Sequence, residues 1–187
     1  MKTIEYLSEM EVASVLAAAR KYGAREWAMF TLAYWHALRA SEIASLTLAD
    51  VEGGKINVRR AKGSMHTIQP MLRAEEKQAL ATWLRVRGDA DGSQFLFTSA
   101  KGSGLSRQQV YNLFAEIAMI AGIERSRRHP HILKHSICTH ANQHGMSLPA
   151  IQQLAGHAHI SSTIRYTHIS QAEAAAQALA AIPGLAA

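Results

Sequence analysis

Residues 25–38, REWAMFTLAYWHAL, are apolar on nearly every face if wound into a helix. A helix of that kind cannot lie on a surface with one side in water; other elements must surround it. The rest of the chain therefore has to supply amphipathic partners enough to bury three to four turns. Apolar residues make up 48% of the chain and charged ones 18%, a balance that supports a packed core rather than disorder. With 187 residues, one domain with its own core is expected over residues 1–187.

The partners are legible. Ser8 with Glu9 and Glu11 marks a helix start, the apolar spacing of VASVLAAAR continues it, and Gly23 ends it. Ser41 and Glu42 fall in a short third helix ending near Leu46. The pattern then changes. LADVEGGKINVRRAKGSMHTIQPML holds a Gly-Gly turn, alternation in KINVR and a second turn at Lys62-Gly63-Ser64, closed by Pro70. This predicts a small three-stranded antiparallel sheet. A helix follows from Arg73 to Arg87, then a loop holding a strand-like QFLF. Ser106 caps another helix, and Pro130 opens one that runs to Gly145. A short helix spans Leu148 to Leu154, and SQAEAAAQALAAI forms the last, stopped by Pro183-Gly184. The expected class is mainly α with a small three-stranded antiparallel sheet.

Net charge narrows the partners. At +6 the surface attracts phosphates and nucleic acid, with a strength that should fall with salt. A single cysteine, Cys138, permits no internal disulfide. No run approaches the roughly 20 apolar residues of a membrane span, and MKTIEYLSEMEV places glutamates where a signal peptide would be apolar. A cytoplasmic protein is expected.

Ten histidines raise the question of a metal. His131 and His135 are four apart, as are His140 and His144, which puts each pair on one helical face. Neither a His-Glu-x-x-His motif nor a cysteine cluster accompanies them, so no metal site is assigned.

An ordered set of short motifs carries more. HALRASEI holds Arg39 and Glu42. RRAKGSMHTIQP places Lys62 in a strand turn. HPHILKHS holds His131 and Lys134, and LAGHAHISSTIRYTH holds His157 and Tyr166. In this order, with these separations, the chain resembles the catalytic domain of the tyrosine recombinase (phage integrase) family. That family has an arginine followed by Ser-Glu, a hairpin lysine, His-x-Leu-Arg-His-Ser/Thr, Leu-Gly-His, and a tyrosine nine residues after that histidine. IQQLAGH differs from the family's Ile-Gln-x-Leu-Leu-Gly-His by one small substitution. The resemblance runs from about residue 3 to 182, and four linked motifs are far more specific than any one.

The residue types suit the implied chemistry. Attack on phosphorus builds negative charge on non-bridging oxygens, which fixed cations stabilise. Arg39 offers a planar fork for two of them. Tyr166 is the nucleophile implied; a phenol with a pKa near 10 needs a proton acceptor or a strong positive field. The resemblance implies a covalent 3′-phosphotyrosyl link, a released 5′-hydroxyl, and resealing with neither cofactor nor metal. It assigns Lys62 to protonate the leaving oxygen, His131 to proton transfer or phosphate binding, His157 to a phosphate hydrogen bond and Glu42 to orienting the site. A surface salt bridge is the plain alternative for Glu42.

Lys134 departs from the family, where arginine is usual. Lysine keeps the charge but loses the bidentate fork, and one lost donor at such a site can cost about 10²–10³ in rate. Two outcomes stay open: an active enzyme, or an attenuated recombinase-like DNA-binding protein. A type IB topoisomerase-like nicking-closing enzyme shares the chemistry. Ala37 is a smaller departure, since the family often has glycine there. The implied partner is duplex DNA with inverted-repeat sites, bound by a homo-oligomer, with no membrane involved. Arg59, Arg60, Arg107, Arg125, Arg127 and Arg128 are candidate backbone contacts. The catalytic motifs begin almost at residue 3, so the family's separate N-terminal DNA-gripping domain is not expected within these residues; in this the chain resembles the short fimbrial-switch invertases, or a catalytic domain cut from a longer protein. By resemblance the helix at 170–182 packs onto a neighbouring protomer; folding back on its own domain is the alternative.

Overall fold

The computed structural model describes residues 5–60, 64–88 and 92–166. Helix α1 (Glu9–Tyr22) begins as its sequence dictates. The Ser8 hydroxyl accepts from the Glu11 amide, and the Glu11 carboxylate accepts from the Ser8 amide at 2.8 Å, which satisfies two of the donors a helix start leaves open. Helix α2 (Ala24–Trp35) is the all-round apolar segment, and residues Glu26 to Tyr34 along it are buried. It packs against α1, α4 (Ala74–Arg87) and α6 (His131–Gln143). Phe30 meets Phe114 of α5 (Arg107–Ile120) edge to face, with ring centroids 5.2 Å apart. The central position deduced from the apolar pattern is thus the one observed.

Helix α3 (Ala40–Ser45) follows a turn at His36–Arg39. In that turn Ala37 sits at φ 51, a region an L-residue with a Cβ enters at a cost of roughly 1–2 kcal/mol. Beyond α3 the sheet is smaller than expected. Strands β1 (Lys55–Val58) and β2 (Thr67–Pro70) pair antiparallel, Lys55 opposite Pro70 and Val58 opposite Thr67, and the described residues hold no third strand. The stretch that leads into the Gly-Gly turn, Leu48–Gly54, winds into 3-10 turns instead. Asp50 causes this: its carboxylate accepts from both the amide and the hydroxyl of Thr47, closing a turn where a strand would need extended backbone. Gly53 and Gly54, both at positive φ, then reverse the chain into β1. QFLF likewise forms no strand: Phe95 makes an isolated bridge with Thr47, and Thr98, just past it, makes one with Gly104.

Helices α6, α7 (Leu148–Ala155) and the four-residue α8 (Ser161–Ile164) complete the described fold. Gly156 ends α7 at φ 64, and a Cβ there would meet Arg60 Nε and the Met65 carbonyl at under 3 Å. That glycine brings the hairpin against the start of the α7–α8 connection, where Ser64 bridges to His157. Lys62 and the terminal segment 170–182 lie outside the described residues.

Candidate active site

The site forms where the His36–Arg39 turn, the end of β1, one face of α6 and the α7–α8 connection meet. The Arg39 side chain is 29% exposed; its Nη1 donates to Glu42 Oε1 and to Ser64 Oγ, both at 3.0 Å. Among the described residues its Nε and Nη2 donate to no protein group, so these donors remain for a ligand. Glu42 is not a surface pair. It is buried, takes the Arg39 amide at 2.8 Å on Oε2, and the same oxygen accepts from Arg60 Nη1 at 3.0 Å. Burial works to raise its carboxyl, but Arg60, the Arg39 amide, Lys134 and Arg39 together hold it below the usual carboxylate value.

Arg60 corrects the sequence reading. Its side chain has no exposure. Nε donates to Thr67 Oγ1, Nη1 to the Ala37 carbonyl and Glu42, and Nη2 to the carbonyls of His36 and Leu154. A guanidinium has five N–H donors, so none remains for a DNA phosphate. Arg60 is an internal strut that ties the hairpin to the Arg39 turn and to the end of α7. The signal was present: Ile56 and Val58 point inward from β1, and the period of two sends residue 60 the same way and Arg59 outward.

Lys134 is also interior, 1% exposed. Its Nζ donates to the carbonyls of Ala37, at 3.0 Å, and Ala155, at 2.6 Å. It thereby fastens the turn before Arg39 to the turn before His157. Burial, with Arg60 and Arg39 adding to it, lowers its pKa to about 7. Two basic groups thus stand within the protein behind Arg39, and the Glu42 carboxylate offsets both.

Tyr166 is 4% exposed. Its hydroxyl lies 2.9 Å from His135 Nδ1 on α6, and the Cys138 thiol is a second hydrogen-bonding neighbour. Burial pushes the phenol well above its ordinary pKa. The ring lies parallel to that of His157, with centroids 6.2 Å apart. His157 is held in turn by Thr163 Oγ1, 3.0 Å from its Nδ1. His131 occupies the exposed start of α6, its ring edge-on to His135 at 4.4 Å. Burial of its ring, then the neighbouring His135, Lys134 and Arg39, depresses its pKa. Sequence reasoning passed over His135, Ser64 and Thr163. The i, i+4 spacing of His131 and His135 was noted only for metals, and among the described residues no metal-holding cluster forms.

The remaining arginines divide. Arg59, Arg107 and Arg125 are exposed, Arg59 paired with Asp50 at 3.1 Å. Arg127 grips Glu11 of α1 with two hydrogen bonds, and Arg128 donates to the Ile123 carbonyl; these two serve the fold.

Arg39, His131, Lys134, His157 and Tyr166, drawn from three separate motifs, are therefore brought within electrostatic range of one another. Residues 5–173 match the phage integrase family. The chain belongs to that family. It is 35% identical over 174 residues to the type 1 fimbriae regulatory protein FimE of Escherichia coli K12, covering 89% of this chain and 87% of FimE. It is 37% identical over 175 residues to the tyrosine recombinase XerD of Pseudomonas aeruginosa, of which it spans 58%. In structure it resembles XerA recombinase, with a TM-score of 0.80 and 27% identity over 98% of this chain and 67% of XerA. Membership makes the chain a site-specific tyrosine recombinase; neither a topoisomerase-like nor a binding-only reading finds support among these relatives. Among the described residues no helix is long and apolar enough to cross a membrane.

Proposed function

We propose that the chain binds duplex DNA at inverted-repeat sites as a homo-oligomer, in the cytoplasm, and exchanges strands through Tyr166. The observation that carries the reading is the seat of the Tyr166 hydroxyl: 2.9 Å from His135, beside His157, with Arg39 contributing positive field. In the reaction Tyr166 Oη attacks the scissile phosphorus and the P–O5′ bond breaks. Arg39, His131 and His157 bind the non-bridging oxygens, and Lys62 protonates the departing 5′-oxygen. The 3′-phosphotyrosyl link retains the energy of the phosphodiester, so the 5′-hydroxyl of another strand can reseal it. Lys134 supports this from behind, holding the turns that carry Arg39 and His157. Segment 170–182 is assigned to contacts between protomers on DNA. XerH, a 24%-identical structural neighbour, was seen bound to its difH substrate before cleavage.

The test is covalent trapping: protein and nicked inverted-repeat duplexes in EDTA, denatured in detergent. A protein–DNA band that vanishes with Tyr166→Phe supports the assignment. A band that persists in that variant removes Tyr166 from the role.

A further inference from the structure

Three basic groups surround the Glu42 carboxylate: Arg60, Lys134 and Arg39. Arg60 has all five of its donors engaged inside the protein, and Lys134 is buried with Nζ turned to two backbone carbonyls. Among these three described residues, Arg39 is the one that presents N–H groups to a ligand, so the direction of those groups matters as much as the charge behind them. Its Nη1 carries two hydrogens. One goes to Glu42 Oε1 and the other to Ser64 Oγ, each at 3.0 Å. Glu42 cannot swing to follow the guanidinium, because its Oε2 is held by the Arg39 amide and by Arg60 Nη1. With Nη1 fastened at two points, the edge that remains is formed by Nε and Nη2. Those N–H groups run parallel and match two oxygens of one phosphate. Glu42 alone would hold Nη1 by one bond and let the plane turn; the Ser64 hydroxyl removes that freedom.

Ser64 is itself fixed from another part of the site. It lies three residues before β2 and pairs with His157 in an isolated antiparallel bridge. The amide of the next residue, Met65, donates to the Gly156 carbonyl at 3.0 Å. The side chain of Ser64 thus reaches Arg39 while its backbone rests on the connection that carries His157.

We propose that Ser64 is a positioning residue for phosphate binding: its hydroxyl fixes the Arg39 guanidinium with the Nε–Nη2 edge toward the scissile phosphate, and its backbone sets that edge in register with His157. The inference rests on the recombinase reading above, in which Arg39 and His157 bind the non-bridging oxygens. Ser64 touches no reacting atom. A fork oriented in advance needs no reorganisation as charge builds on the phosphate oxygens. A fork able to swivel binds the ground state nearly as well and the transition state worse, so the loss falls on rate rather than on affinity.

The experiment measures single-turnover cleavage and DNA affinity for the full chain on nicked inverted-repeat duplexes. Ser64→Ala should slow cleavage by about 10–10²-fold while the Kd for DNA stays within about threefold. Ser64→Thr keeps the hydroxyl and should cleave within about threefold of the natural protein. Arg39→Lys removes Nη1 and with it the contact to Ser64, so adding Ser64→Ala to that variant should slow it by less than about threefold more. A folding defect, or a purely structural role in the hairpin, would multiply with the Arg39→Lys loss instead of being absorbed by it. Multiplicative losses overturn the proposal. So does a Ser64→Thr variant as slow as Ser64→Ala, or cleavage by Ser64→Ala within about threefold of the natural protein. A natural protein that forms no adduct with any of these duplexes would instead overturn the recombinase reading itself.

Discussion

Replacing Lys134 with methionine removes one buried ammonium and keeps a side chain of similar length. Because burial beside Arg60 and Arg39 lowers the lysine to about 7, whereas an unfolded lysine titrates near 10.4, the unfolded chain binds the proton more readily. Stability then rises with pH wherever the unfolded state holds more protons. The penalty is full below pH 7 and is lifted progressively as pH climbs toward 10.4. Linkage puts the gain between pH 7 and pH 9 at about 2 kcal/mol. Cys138 titrates in the unfolded chain across the same window with the opposite sign, but it is present in both proteins and cancels in the difference. Losing the Nζ donor from the Ala37 and Ala155 carbonyls costs a further roughly 1–3 kcal/mol; a neutral amine still donates, so this part changes little with pH. Urea unfolding at pH 7, 8 and 9 isolates the titrating part. The natural protein should gain about 2 kcal/mol on Lys134→Met across that range. Parallel pH curves for the two proteins would refute a buried, depressed lysine.

Arg60→Met strips Glu42 of a buried partner and leaves the Leu154, His36 and Ala37 carbonyls short of donors; it should cost about 3–5 kcal/mol in unfolding free energy, whereas Arg59→Ala at the surface should stay within about 0.5 kcal/mol. Glu42→Gln should destabilise most at neutral pH. The Glu42 carboxyl is held low, so its contribution is present above about pH 4.3 and is lost as pH falls through the folded value; the gap between the two proteins should close in acid, and a gap that widens there would contradict the network. Ala37→Gly relieves a positive φ at the expense of chain entropy, and thermal unfolding should show a gain of up to about 1 kcal/mol. Lys134→Arg should preserve or raise cleavage, measured as adduct yield, while strong impairment would show a site shaped around lysine.

What the sequence made legible follows from strong local signals. The all-apolar α2 announced its central place, and Ser8 with Glu11, and Ser106, announced helix starts that the hydrogen bonds bear out. The third strand failed because Thr47 and Asp50 write a turn into LADV, a short-range signal that outweighs alternation. Arg60 and Arg59 look identical as adjacent cations; only strand periodicity separates an internal strut from a surface charge. Lys134 presents the harder case. Its type suggests a surface or phosphate-facing group, yet its helical neighbours Leu133, Ser136, Ile137 and Cys138 are buried with it. What it bonds to, two carbonyls 118 residues apart in sequence, Ala37 and Ala155, depends on tertiary packing no local pattern encodes. His135 escaped for a related reason: its partner Tyr166 lies 31 residues on.

The central claim is that Tyr166 becomes joined to the 3′ side of a cut strand, and one measurement addresses it directly. The trapped complex would be digested with nuclease and protease and the adduct located by mass spectrometry, using DNA labelled separately at each end of the cleaved strand. The account predicts a nucleotide on the peptide containing Tyr166, with the 5′-end label retained on the protein and the 3′-end label released. An adduct on another residue, or retention of the opposite label, would contradict it.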